Sequence, residues 1–465
     1  MAANTADSCR VAIRDESLPR PSFAPDFFSP AIKAGGWLFC SGTMPTDFNS
    51  PVIEGTNPEA LYRPGPWDYE RQAVQSHSTL RRLEAIFSAA GADLRKDTIR
   101  IEQFFRSPHP TQEDFDTTRD CFAKGISVQP YLDVRDEYID EPRPPSVGFA
   151  VTDLAIPGVD LQIDLIGRPG VEKAGFEVPD GVASPLAGYA PAIRFDDWVW
   201  LAGEVPTDWQ GDWMSEKHMG PPGSTDPRTR PNEHLWYGDP MELQVDLVLQ
   251  KQAAIAEAAG ASIENCVNAT CYIGHPADFP SMDKVWKRWF GENPPARTVV
   301  PYAGLGGQGW RFECTLDFLA DDSDLKPETI ETSAASEPFG HEPQAVKVGN
   351  FLFFGTRRAI DSEGVLASDA RTPAGFERYG SDGRMQMRKI LDDISAISEA
   401  AGTSLDNMCR VKVFMDDWSA LAPVAQELAD RFPKDPPAVS LHRVNGSPML
   451  APGCRLSCDV ISYAP

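Results

Sequence analysis

An α+β fold of three tandem domains is predicted by three observations. A helix-like run closes with the same punctuation three times, a short strand-like run recurs ahead of each, and matching residues stand at constant intervals. At 465 residues the chain is too long for one small core and suits roughly two to four domains.

The helical runs end in "IFSAAGADL", "IAEAAGASI" and "ISEAAGTSL". Gly91, Gly260 and Gly402 stand where a helix C-terminus favours a left-handed residue. Upstream, "GGWLFCSGTMPTD", "DDWVWLAGEVPTD" and "GNFLFFGTRRAID" are apolar runs between turn residues, the chemistry of strands. Phe28, Gly42 and Asp47 lie at one constant interval from Tyr189, Gly203 and Asp208, and these at another from Glu342, Thr356 and Asp361. Between copies two and three, Gly260, Pro294, Pro295 and Asp317 match Gly402, Pro436, Pro437 and Asp459 without a gap. Copy one is looser, with Pro145 for Pro295 and Asp164 for Asp317. Intervals of roughly 150 residues are domain-sized, and the expected division is 1–168, 169–320 and 321–465. The segments "RPGVEKAGFEVPDGVASPLAG" and "DDSDLKPETIETSAASEP" lack helical or strand periodicity and read as linkers.

Each unit reads strand, strand, helix, strand, helix and one or two closing strands. In copy two, "DPMELQVDLVLQKQAAIAEAAG" and "FPSMDKVWKRWFG" carry apolar residues three and four apart, as amphipathic helices do. Such helices cover one face of a mixed sheet. The closing strands "VDLQIDLIG", "FECTLDFLA" and "CRLSCDVIS" are apolar on both faces, so the three sheets are expected to cover one another. Copies one and two carry long insertions before the first helix. The second is rich in tryptophan (Trp209, Trp213, Trp236) and reads as a lid or packing strap.

A formal net charge of −25 makes nucleic acid and anionic membrane surfaces poor partners. No run approaches the roughly 20 apolar residues that span a bilayer, and the start "MAANTADSCRVAIRDESLPRP" lacks a signal peptide's apolar stretch. A cytoplasmic location is expected. The nine cysteines are odd in number, scattered and without a CxxC, which fits reduced, buried thiols. His109 and His275 each precede proline without further ligands at short spacing, and His218 and His234 are likewise unaccompanied, so no metal is expected. Asp164, Asp317 and Asp459 recur in every copy and read as architectural. Arg357 and Arg358 stand where an anion site is conceivable, and pairing with acids of a neighbouring unit is the preferred reading.

The stretch "YAPAIRFDDWVWLAGEVPTD", followed by "AEAAGASIENCVNATCYI", "NPPARTVV" and an acidic closing strand, resembles the RidA/YjgF family of reactive-intermediate imine deaminases. The resemblance recurs once per unit and is firmest in copy two. It implies chorismate-mutase-like domains, and three fused copies imply a pseudo-trimer made by one chain, monomeric or further self-associated. It also implies hydrolysis of imine or enamine small carboxylates to keto acids and ammonia, with no metal or organic cofactor. On this resemblance Arg297 grips the carboxylate, as a guanidinium is suited to do, Tyr189 closes over it, and Glu313 handles water. Gly203 and its neighbour Glu204, offering backbone amides, and Thr298 are the expected substrate-binding positions. Ser146 and Val439 replace the arginine in copies one and three, and Phe28 and Glu342 replace the tyrosine. A single intact cleft around copy two is therefore expected. The alternatives are a non-catalytic small-carboxylate-binding or scaffold protein of the same fold, and a hydrolase of an aromatic or heterocyclic substrate in a catabolic pathway. Asp317 competes with Glu313 for the acid–base role, since both lie on one strand face.

Overall fold

The computed structural model describes residues 9–14, 26–46, 69–106, 128–151, 153–185, 187–207, 225–229, 238–302, 309–376, 380–444 and 450–465. Both long insertions, with Trp209, Trp213, Trp236, His109, His218 and His234, fall almost entirely outside these residues.

Three sheets follow one another along the chain. The first comprises β1 (Val11–Ile13), β2 (Ala31–Ala34), β3 (Trp37–Cys40), β4 (Thr98–Arg106), β5 (Ser146–Val151) and β6 (Leu161–Gly167). The second comprises β7 (Ala174–Phe176), β8 (Ala192–Phe195), β9 (Trp198–Leu201), β10 (Cys266–Ile273), β11 (Ala296–Pro301) and β12 (Phe312–Leu319). The third holds β13 (Glu328–Ile330), β14 (Ala345–Val348), β15 (Phe351–Phe354), the two-residue β16 (Arg357–Arg358), β17 (Met408–Met415), β18 (Ala438–Arg443) and β19 (Leu456–Tyr463). The spatial order repeats: β1-β2-β3-β6-β4-β5, β7-β8-β9-β12-β10-β11 and β13-β14-β15-β19-β17-β18. In each sheet the last pair (β4–β5, β10–β11, β17–β18) is parallel and the other pairs are antiparallel. The linkers differ from expectation, since each contributes an edge strand, β7 and β13, as the N-terminal segment contributes β1. Three residues are too few to carry a visible alternation.

Two helices cover one face of each sheet: α1 (Tyr69–Ala89) and α2 (Gln129–Tyr138), α3 (Pro240–Ala258) and α4 (Phe279–Phe290), α5 (Asp382–Ala400) and α6 (Leu421–Arg431). α3 starts where Asp239 accepts from the Met241 N–H, with proline at its first position. Gly91, Gly260 and Gly402 have φ of +71°, +85° and +79°, which terminates α1, α3 and α5 as their spacing predicts.

The opposite sheet faces pack on one another. Ile32, Trp37 and Phe39 of the first sheet, Ile193, Trp198 and Trp200 of the second, and Val346, Phe351 and Phe353 of the third form one buried cluster. Trp37 lies 5.3 Å from Trp198 and 4.7 Å from Phe351 between ring centroids, and each such pair adds about 0.5–1.5 kcal/mol beyond burial. Beside this core the sheets share buried ion pairs: Arg100–Asp317 joins the first and second, and Lys412–Glu102 the third and first. His442 Nε2 lies 3.2 Å from Asp164 Oδ2 across the same boundary, and Arg410 pairs with Asp459 at 2.8 Å.

The register corrects the gapless match between copies two and three. Phe39 pairs with Ile166, Trp200 with Asp317 and Phe353 with Ile461. Asp317 is thus the counterpart of Ile166 and Ile461. Thr315 stands with Asp164 and Asp459, and Glu313 with Gln162 and Ser457. The shift arises in the loop before the closing strand, where length changes cost little. A slip of two residues leaves every side chain on its face.

Removing one partner of a buried pair strands the other charge. Lys412→Met, which leaves Glu102 and Asp459 facing each other, is expected to lower stability by about 3–5 kcal/mol in urea titrations. Adding Glu102→Leu is expected to restore much of the loss. An unchanged urea midpoint in the single variant would show the pair to be dispensable.

Candidate functional site

The residue at the arginine position of one sheet meets the segment after the second strand of the next. Gly203 N–H donates to Ser146 O at 3.1 Å, Thr356 N–H to Arg297 O at 2.9 Å, and Gly42 N–H to Val439 O at 3.2 Å. Three junctions follow, each built from two units. Arg297 therefore belongs to the junction of the second and third sheets, whereas Tyr189, Gly203, Glu204 and Glu313 belong to that of the first and second. The expected single cleft around copy two is corrected: its residues are divided between two places.

Arg297 and Thr298 are neighbours in β11 and so face opposite ways. Arg297 points to the helix side, where its guanidinium lies 5.1 Å from the Trp286 ring and 5.8 Å from Phe279. Its Nη2 donates to Asp283 at 2.6 Å, its Nε to Glu342 at 3.2 Å, and its Nη1 approaches Met282 Sδ. The side chain is 0 % exposed. The residue expected to grip a substrate carboxylate already holds two of the chain's own. One of the two, Glu342, is the counterpart of Tyr189. Thr298 instead joins Thr270 and Thr315 in a cross-strand row on the inner face.

At the first junction Glu313 is 6 % exposed and faces the inner side, paired across strands with Tyr272. Among the described residues its carboxyl has neither hydrogen bond nor ion pair. Burial, and then the charge of Glu204, raise it well above the usual carboxylate range. Burial also raises Tyr189, reinforced by Glu204 and Glu313 and opposed by Arg135 of α2. Burial raises Glu204 too, although Lys251 Nζ, 3.0 Å away, opposes the shift. Lys251 also donates to Val205 O and Thr207 O.

Gly203 is glycine for a local reason. A Cβ there would collide with Glu313 Oε1 and lie 2.8 Å from Val147 Cγ2. The other junctions vary this theme: Gly42 faces Gln162, and Thr356 stands where the opposite residue has shrunk to Ser457. The backbone amides expected to bind an anion are engaged, because Gly203 N–H donates to Ser146 O and Glu204 N–H to Cys314 O. Ser146, in the arginine's place, accepts from Gln103 Nε2 at 2.7 Å. Phe149 lies 3.9 Å from Tyr272 and 4.7 Å from Tyr302 between ring centroids, so the inner face beside Glu313 is aromatic.

Asp317, the competing acid, is committed to Arg100 and to Asn268 Nδ2 at 2.8 Å. His275 accepts the Ala277 N–H at 3.0 Å, a capping role. Among the described residues no group of three His, Cys, Asp or Glu side chains has metal-holding geometry, and no helix is long and apolar enough to cross a membrane. Lys251 was missed in the sequence. Its signal is a lysine on the buried face of α3, between Val248 and Ile255.

At the junction of the first and second sheets a carboxyl that is buried, and unpaired among the described residues, thus lies close to a buried tyrosine. The family described as Endoribonuclease L-PSP matches residues 181–317. A RutC family protein of Pyrococcus horikoshii is 35% identical over 111 residues, spanning 24% of this chain and 79% of that protein. The 3-aminoacrylate deaminase RutC of Acinetobacter baylyi is 27% identical over 123 residues, spanning 26% of this chain and 80% of its own. The crystal structure of RidA from a Psychrobacter species is 27% identical, with 29% of this chain and 98% of that chain covered and a TM-score of 0.24. The chain belongs to the RidA/YjgF family, to which the RutC proteins also belong.

An acid whose folded pKa is raised holds its proton while the unfolded state releases it, so stability falls as pH climbs above the unfolded value of about 4.3. Glu313→Gln is expected to remove that slope and raise the thermal midpoint at neutral pH relative to pH 4. A midpoint difference independent of pH would show Glu313 to be ordinarily ionised. Arg297→Met, which strands Glu342 and Asp283, is expected to cost about 3–5 kcal/mol in denaturant titrations.

Proposed function

We propose that the chain is a hydrolase of C–N bonds, a deaminase of imine- or enamine-type small molecules, and that its chemistry lies at the junction of the first and second sheets. Units 1–168, 169–320 and 321–465 would form a pseudo-trimer within one chain, since each junction borrows from two of them. The observation that carries the proposal is Glu313, buried, without a partner among the described residues and raised in pKa beside Tyr189. The named deaminase among the relatives supports the reaction class. A surplus of 25 negative charges favours a small molecule over a nucleic acid.

Deamination of an imine needs a proton on nitrogen, water at carbon, and a proton for the departing ammonia. A neutral Glu313 supplies the first proton and becomes the base that deprotonates the attacking water. The proton it collects then passes to the amine nitrogen, and as the C–N bond breaks the Glu313 carboxylate takes the hydroxyl proton, giving a carbonyl, ammonia and a neutral Glu313 again. Tyr189 orients the substrate, and Lys251 holds Glu204 in place. The substrate meets Ser146 instead of an arginine, so a carboxylate is no requirement of this junction. A second reading, turnover of an aromatic or heterocyclic substrate, is favoured by the Phe149–Tyr272–Tyr302 wall.

The test is ammonia release from imines generated in situ, 2-iminobutyrate and an imine without a carboxylate among them. Glu313→Gln is expected to lower kcat by about 10²–10⁴-fold. Arg297→Lys, if folded, is expected to retain turnover. Loss of turnover that follows Arg297 and spares Glu313 would move the chemistry to the other junction and refute the proposal.

A further inference from the structure

Two carboxyls meet at the first junction, and one ammonium is directed at one of them. Glu204 N–H donates to Cys314 O at 3.1 Å and Cys314 N–H to Glu204 O at 3.3 Å, which sets Glu204 beside the residue that follows Glu313. Glu313 Oε1 lies where a Cβ on residue 203 would stand, so its carboxyl rests on the backbone next to Glu204. Lys251 reaches the other acid from α3. Its Nζ donates to Glu204 Oε1 at 3.0 Å, to Val205 O at 3.0 Å and to Thr207 O at 2.7 Å. An ammonium has three N–H donors, and these acceptors use them all. Nothing remains for Glu313, whose carboxyl has neither hydrogen bond nor ion pair among the described residues.

The other titratable groups around the two acids bring no compensating charge. Tyr189, Tyr272 and the Cys314 thiol are raised, by burial first of all, and stay neutral at physiological pH. Asp226 is taken by Arg228 at 2.7 Å, and Arg135 by Asp136 at 2.9 Å. The burial that raises Glu204 is opposed by Lys251, whereas for Glu313 burial and the charge of Glu204 act in the same direction.

The third unit inverts the arrangement. Arg357 stands at the position of Glu204 and Asp393 at that of Lys251, so the two charges have changed places, and Ser457 replaces the acid at the Glu313 position. Asp393 acts on Arg357 without an ion pair, being held by Lys389 at 2.5 Å. Among the described residues neither Arg357 nor Arg358 forms the expected ion pair with an acid of a neighbouring unit; both donate to backbone carbonyls. The first unit has Thr43 at the Glu204 position and Gln162 at the Glu313 position. The anion and the unpaired acid thus occur together, at the one junction where a lysine stands behind the anion.

We propose that Lys251 is a positioning residue for the reacting proton: by pairing with Glu204 it fixes that carboxylate as the charged member of the two, and the charge keeps the proton on Glu313. This role rests on the deamination proposed above. Two like charges in one buried place are disfavoured, so the acid without a cation is the one that stays neutral.

The test follows the Glu313 carbonyl band, identified by its loss in Glu313→Gln, through an infrared pH titration of the full chain, alongside the pH profile of ammonia release. In Lys251→Met, Glu204 loses its cation and takes up a proton, so the Glu313 band is expected to ionise about one pH unit lower than in the parent. A second protonated band, from Glu204, is expected with it. Glu204→Gln, which leaves the ammonium unopposed, is expected to move the Glu313 band at least as far. The alkaline limb of turnover, where Glu313 loses the proton it donates, is expected to shift in step. A lysine that only stabilised the fold would not produce these shifts. An unmoved Glu313 band in Glu204→Gln overturns the proposal, and does so even where Lys251→Met fails to fold. A parent that releases no ammonia refutes the reaction and with it the role in turnover, while the band still decides where the proton lies. A parent that turns over, with band and alkaline limb unmoved in both variants, overturns the role of Lys251 and leaves the reaction standing.

Discussion

The second face of each sheet is the constraint from which the rest follows. Helices cover one side, and the other, with Trp37, Trp198, Phe351 and their neighbours, is too apolar to meet water. Each sheet buries that face against the other two. The same packing brings Arg100, Glu102, Asp164, Asp317, Lys412 and His442 out of water together, where charges persist only as pairs. It also fixes the edge contacts in which Ser146, Arg297 and Val439 each accept a hydrogen bond from the following unit. The junctions, and with them every candidate site, are products of the sheet packing.

Three junctions in one chain are free to diverge. The first has lost the arginine and kept Tyr189 and Glu313; the second has kept the arginine but closed it with Glu342 and added Arg357 and Arg358. The third pairs Val439 with Ser41 and Gly42, and sets Gln162 where Glu313 stands. The three junctions thereby differ in the polar and charged side chains they hold. Identical subunits cannot make this division, because a change in one site would appear in all.

Much of the fold was legible in local chemistry. Gly91, Gly260 and Gly402 announced the helix ends because only a left-handed residue satisfies them cheaply, and apolar faces on both sides of the closing strands announced a shared core. The three-residue edge strands were not legible, since they carry no period. Nor was the two-residue slip that separates Asp317 from Asp164 and Asp459, because alternation along a strand is blind to it. The site failed for a different reason. Counting retained residues within copy two assumed that they converge, but Arg297 faces forward to Thr356 and Glu342 while Tyr189 faces back to the first sheet. Lys251 left a trace as a lysine on an apolar helix face. Arg135, which donates to Ala187 O at 2.9 Å, left none, because on α2 it reads as an ordinary surface arginine.

The division of chemistry between junctions rests on one protonation state, that of Glu313. Infrared difference spectra between the parent and Glu313→Gln, recorded across a pH titration, isolate its carbonyl band. The account predicts a protonated carboxyl that persists well above the ordinary carboxylate pKa of about 4.3. A band that ionises at the ordinary value would mean that Glu313 is solvated, and would contradict its assignment as the proton donor of the first junction.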